Sequence, residues 1–248
     1  MRRWLLKFML KLSWSVGGAP DHIDGLPRLT ATDIDALVPL LEPGDLVLIG
    51  NEGSLSHIAV HVGGGEIVHA MATEQTMRGM AGSLWDALKR PLRWLWGIVD
   101  HAGVLQETLA QFVERFERDT YVVLRPSASP DGRARGLAHV RSLVGKGYDY
   151  TFTPGDGDYY CTEVALDYVE VATGTAPAVT TTAVRVPGLL NAEVIEPMAL
   201  LDIVAPVLAN EAARSRFADR LGDARVLPTA SEEPPAGPQH STTPRATN

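Results

Sequence analysis

Cys161 is the only cysteine in 248 residues, so no intramolecular disulfide can form and nothing ties the chain to an oxidising compartment. Long apolar runs are also missing, and no stretch has the length needed to cross a bilayer as a helix. Basic residues are in deficit: 22 Lys and Arg stand against 30 Asp and Glu, for a formal net charge of -8. That balance argues against a nucleic-acid partner, because neutralising phosphates calls for a basic face. What is present is the composition of an ordinary folded protein, 45% hydrophobic, with length for one main domain and additions.

The N-terminus reverses the overall charge. In "MRRWLLKFMLKLSW", Arg3, Lys7 and Lys11 recur every four residues, while Trp4, Leu5, Phe8, Met9 and Leu12 cover the rest of a helix. Residues 1–18 are expected to form a basic amphipathic helix, lying on a membrane surface through residues 2–14 or packing on the protein's own core. A signal peptide fits less well, since Lys7 and Lys11 interrupt its apolar stretch. The main domain is expected over 19–226, with a Trp-rich insertion at 79–102. From 227 to 248 the chain is rich in Pro, Ser and Thr and is expected to be a disordered tail.

Within the domain, "TATDIDALVPLLEPGD" reads as a helix capped by Thr30 or Thr32. "DLVLIG", "HIAVHV" and "EIVHAM" read as strands, the last two forming a hairpin about Gly63, Gly64 and Gly65. "LQETLAQFVERF" has helical periodicity, "TYVVLRP" reads as a strand and "DGRARGLAHVRSLVG" as a helix. "YCTEVALDYVEVATG" is a helix that starts near Cys161 and ends at Gly174, and "AVTTTAVRVPG" carries a possible strand. "PMALLDIVAPVLANEAARSRFADRL" reads as one or two helices.

Chemistry concentrates in two places. If the glycines make a three-residue loop, Val62 faces Glu66 and Ala59 faces His69, and His57, His61 and His69 line one face of the hairpin. A two-residue turn would instead separate His57 from His69. Cys161, between the turn-rich "GDGDYY" and a helix, is expected to sit where free backbone amides and the helix dipole lower a thiol pKa. A histidine reaching it would make a nucleophile and its general base. Three histidines on one face could alternatively hold zinc with an open position for water, although no zinc signature accompanies them.

"PGDLVLIG", "SHIAVHVGGGEIVHA", "GYDYTF" and "YYCTEV", in that order, resemble the permuted branch of the NlpC-type papain-like fold. That branch includes the YiiX/YaeF-like cysteine hydrolases and the lecithin:retinol acyltransferase relatives. In it the cysteine helix follows the histidine strands, as Cys161 follows His57. The resemblance implies an α+β, circularly permuted papain-like fold, in which a small antiparallel sheet carrying the histidines packs on a helix with the cysteine at its N-terminus. It further implies Cys161 as nucleophile, His57 as base and His69 as the orienting third group. Should the hairpin register slip, Glu74 or another acceptor could take the third role. The Cys161 backbone N–H would serve the oxyanion hole; a hydroxyl from Tyr159 or Tyr160 is a candidate addition, although a packed tyrosine is the stronger expectation. Tyr159, Trp94 and Trp96 are candidate substrate contacts, and no cofactor or resident metal is expected.

The expected activity is therefore a cysteine hydrolase, acting as amidase or peptidase or as a lipid acyl hydrolase or acyltransferase, through a thioester acyl-enzyme. Its partner is a peptide amide or lipid acyl substrate. A membrane-associated adaptor with the same fold and no turnover is the principal alternative. The expected location is the cytoplasm or the inner face of a membrane, with secretion left open.

Overall fold

The computed structural model describes residues 29–51, 54–71, 103–115, 118–149, 152, 155, 157–185 and 191–229. The expected N-terminal helix at 1–18, the insertion at 79–102 with Trp94 and Trp96, residue Glu74 and residues 230–248 of the tail lie outside the described residues.

Helix α1 (Ala31–Leu37) starts where a reciprocal capping pair permits it. Asp33 N–H donates to Thr30 Oγ1 at 3.3 Å, and Thr30 N–H donates to Asp33 Oδ2 at 2.7 Å. Pro39 cannot continue the α-helical ladder, and the chain tightens into a 3-10 turn over Val38–Leu40. It then enters β1 (Leu46–Asn51), which runs next to β2 (Ser54–Gly63) and β5 (Thr120–Leu124). Strands β3 (Glu66–Met71), β4 (Gly103–Thr108), β8 (Pro206–Asn210) and β9 (Arg225–Leu227) extend the sheet to the order β4-β3-β2-β1-β5-β8-β9. Every pair is antiparallel except β8 with β9. A separate hairpin joins β6 (Thr182–Arg185) to β7 (Asn191–Val194).

Both faces of the sheet are covered, which explains why β1 and β5 read as almost unbroken apolar runs. Leu46, Leu48, Ile58, Val60, Val68, Val122 and Leu124 point toward α3 (Pro130–Ser142), α4 (Cys161–Thr173) and α5 (Glu211–Leu221). Val47, Ile49, Ala59, Ile67, Tyr121 and Val123 point the other way, onto α1 and α2 (Leu109–Arg115). The period-two alternation of side chains thus divides one sheet between two cores. At the start of β1, Arg125 clamps Asp45 with two bonds of 2.7 and 2.8 Å, tying β1 to β5 beside the Leu46–Leu124 pair.

The α+β class is as expected, but the sheet is larger than the small antiparallel one anticipated, and it is mixed. Two segments account for the difference. "LQETLAQFVERF" is not helical throughout: its first residues belong to β4, and only Leu109–Arg115 is helix. The segment from Pro197 supplies a 3-10 turn (Pro197–Asp202), then β8, then α5, because its apolar stretch Ile203–Leu208 fits a buried strand as readily as a helix.

Helix α4 is seated by glycines on its antiparallel neighbour α3. A Cβ on Gly132 would lie 2.1 Å from the Ala172 carbonyl oxygen, and one on Gly136 would lie 2.8 Å from the Tyr168 ring. Gly174, in the left-handed conformation at φ 75°, then stops α4. Because backbone cannot yield as a side-chain tip can, Gly132→Ala is expected to push the two helices apart and to destabilise the protein by roughly 1–3 kcal/mol. Urea denaturation checks this, with the midpoint falling and the slope unchanged.

Candidate active site

The hairpin of β2 and β3 combines the two turn geometries weighed from sequence. Only Gly64 and Gly65 lie between the strands, but the register shifts between His61 and Gly63. Gly63, Gly64 and Gly65 all have positive φ, 107°, 64° and 77°, which L-residues with a Cβ rarely adopt. The shift restores the pairs Val60–Val68 and His61–Ile67, so odd-numbered residues on both strands share a face.

On that face the His57 Nε2 and His69 Nδ1 atoms are hydrogen-bonded at 3.0 Å. The other nitrogen of His69, Nε2, lies 2.7 Å from Glu107 Oε1 on β4. Glu107 pairs across from Ile67, which makes it the diagonal neighbour of His69 on the same side of the sheet. Phe112 of α2 closes the group: its ring stacks on His57 at 4.9 Å and meets His69 edge-on at 5.1 Å. His69 is fully buried and His57 only 8% exposed. His61 has a different task. Its Nδ1 lies 3.0 Å from the Glu42 carbonyl and its Nε2 accepts the Gly65 N–H at 3.3 Å, which pins the glycine turn to the segment before β1.

Cys161 is the first residue of α4. Its sulfur meets the backbone amide of Ile58, the residue after His57, and lies 3.9 Å from Thr162 Oγ1. No hydrogen bond joins it to His57 among the described residues. The alternation of β2 gives the reason: Ile58 faces α4 while His57 faces Phe112, so the sulfur reaches the strand at the peptide between them. Amides of Ile58, Thr162 and Cys161 itself, with the Thr162 hydroxyl, favour the thiolate, but burial outweighs them and pushes the thiol pKa up. This corrects the expectation of a lowered value: desolvation exceeds the help that the start of a helix provides. Burial likewise drives His57 well below its ordinary value, with His69 and Arg118 acting in the same direction. Both groups rest uncharged at neutral pH.

The two tyrosines separate. Tyr160 is buried, its hydroxyl accepts the Ile195 N–H at 3.3 Å, and burial pushes its pKa up to about 12; the packed role fits this better than an oxyanion donor. The Tyr160 N–H donates to Glu163 Oε2 at 3.1 Å, capping the start of α4. Tyr159 lines a cleft of about 280 Å³ with Asp158, Glu163, Leu166, Asp167 and Ile195, alongside the first two turns of α4. Burial and the neighbouring Asp167 raise its pKa. Trp94 and Trp96 lie outside the described residues. Among the described residues, no three His, Cys, Asp or Glu side chains converge as metal ligands. The two imidazoles face each other and Glu107 instead of a common centre.

Glu107 and Phe112 were not found from sequence. The only available signal was alternation in "GVLQET", which places Leu105 and Glu107 on one side of a strand, and the helical pattern that follows obscured it.

No family model matches the chain, and no curated protein does. Among solved structures, the metalloprotein YiiX from Escherichia coli O157:H7 (DUF1105) is similar with a TM-score of 0.42 and 15% sequence identity, over 67% of this chain and 96% of that one.

The depressed His57 pKa ties stability to pH. Above the ordinary imidazole value, about 6.5, the ring is neutral folded or unfolded and its contribution is complete. As the pH falls below that value toward the folded one, the unfolded chain takes up a proton that the buried ring refuses. Stability should then drop by up to about 1.4 kcal/mol per pH unit. Urea midpoints between about pH 7.5 and 5 should show this decline, and His57→Asn should flatten it; an equal slope in the variant would rule out a buried neutral ring.

Proposed function

We propose that this protein is a cysteine hydrolase or acyltransferase of the permuted papain-like type, with Cys161 as nucleophile, His57 as general base and His69 as its orienting partner. The observation that carries the reading is the 3.0 Å bond between His57 and His69, together with a sulfur held at the peptide that follows His57. Two histidines buried in contact need a reason, because each ring must satisfy polar nitrogens away from water.

The chemistry is acyl transfer. As substrate enters, the thiol proton passes to His57 while sulfur bonds to the carbonyl carbon, and the oxygen takes up the electron pair of the broken π bond. The Cys161 N–H, at the open start of α4, donates to that oxyanion. Collapse expels an amine or alcohol, which takes the proton from His57 and leaves a thioester on Cys161. Water or another acceptor then attacks the thioester, with His57 again accepting a proton, and the thiol is regenerated. Burial favours the uncharged forms of both thiol and imidazole, so the proposed sequence starts from a neutral pair.

The substrate is a peptide-type amide or a lipid acyl group, and contact with a membrane surface through residues 2–14 belongs to the same proposal. No helix among the described residues is long and apolar enough to cross a membrane. A second reading, an adaptor that keeps the fold without turnover, draws on the buried His57 and the raised thiol.

Incubating the protein with cell extract and weighing it by intact mass spectrometry separates the two. The hydrolase reading expects an acyl adduct on Cys161, whose mass names the substrate class. Cys161→Ala should lose the adduct and at least about a thousandfold in turnover of that substrate, with His57→Ala nearly as impaired. Comparable turnover by Cys161→Ala would remove the thiol mechanism. A Cys161 that stays unlabelled by acyl donors and thiol probes across the pH range would favour the adaptor.

A further inference from the structure

We infer that Glu107 is a positioning residue that fixes the tautomers of both histidines, so that His57 presents an unprotonated Nδ1. The catalytic meaning rests on the reading of Cys161 and His57 above; the tautomer assignment itself does not.

An ionised carboxylate has no hydrogen to donate, so the 2.7 Å contact between Glu107 Oε1 and His69 Nε2 places a proton on Nε2. When the His69 ring holds a single proton, that N–H is at Nε2 and Nδ1 is left with a lone pair. Nδ1 is the atom that faces His57 Nε2 at 3.0 Å, so this second bond must be donated by His57. With its single proton on Nε2, the neutral His57 ring keeps its lone pair at Nδ1, the form a general base needs. One negative charge at the edge of the group thus sets the direction of two hydrogen bonds in series. Without it the chain could reverse: His69 Nδ1 would donate to His57 Nε2, the proton of His57 would move to Nδ1, and the base would be blocked.

Burial makes the control effective. His69 has no exposure at all, so water cannot supply an alternative partner, while the Glu107 side chain retains 11%. Phe112 holds both rings in place. When His57 gains the thiol proton, the positive charge is relayed through His69 toward a carboxylate already oriented for it, which lowers the cost of forming it away from water.

Nitrogen-15 NMR of the imidazole rings tests this without any substrate, because long-range N–H couplings distinguish the tautomers. In the full chain, both His57 and His69 are expected to show the Nε2–H pattern, also in Cys161→Ala, so the readout survives a failure of the thiol mechanism. A His57 ring protonated at Nδ1 in the unaltered protein would overturn the proposal without any variant. Glu107→Gln, whose amide can donate or accept, should produce a mixture of tautomers at His57. Glu107→Asp should shift the pattern less. On a substrate identified by the adduct, Glu107→Gln should lower kcat by about ten- to a hundredfold with KM little changed, smaller than the effect of removing a group bonded directly to the base. Glu107→Gln with both rings still purely Nε2–H would show that the carboxylate does not set the tautomers.

Discussion

The hydrogen bond between two buried imidazoles depends on a single irregularity in a hairpin. Without the register shift before Gly63, a two-glycine turn would send the side chains of β2 and β3 to opposite faces, and His57 and His69 would lie in different cores. Three consecutive residues with positive φ make that shift possible, and His61 holds the turn in place through the Glu42 carbonyl and the Gly65 amide. A histidine that takes no part in the proposed reaction thereby maintains the geometry of the two that do.

The site also reflects a conflict between two effects on the same thiol. The first turn of a helix offers amides that favour negative charge, whereas close packing removes the water that would stabilise it. Packing wins at Cys161, and at His57 it disfavours the imidazolium. This balance keeps the thiol protonated, which guards the only cysteine of the chain against oxidation, since oxidants act on the thiolate.

The sequence was most readable where one signal dominated. Alternation and glycines located the histidine hairpin, and Gly174 marked the end of the helix that begins at Cys161. The same reasoning missed Glu107, because Leu105 to Phe116 satisfies a helical pattern and the change from strand to helix at Leu109 leaves no breaker residue behind. Strand β8 was hidden in an apolar run that periodicity cannot assign. The direction of the thiol pKa was misjudged for a different reason: the helix start is visible in local sequence, whereas the desolvation that overrides it comes from residues far along the chain. Tyr160 illustrates the same limit, since its hydroxyl contacts a backbone amide thirty-five positions away.

The parallel pair β8 and β9 has a consequence for how the chain is made. All the residues assigned to the site have been synthesised once Cys161 has appeared, yet β5 lacks its outer neighbour until residues 206–210 follow, and β8 lacks its own until 225–227. Asn210, fully buried, bridges the gap by accepting the Tyr121 N–H and donating to the Asp119 carbonyl. Until then a nascent chain would carry the histidines on a sheet with an open apolar edge at β5, the kind of edge that recruits strands from other chains. The last third of the protein acts in this sense as an internal partner that closes the sheet after the chemistry has already been encoded.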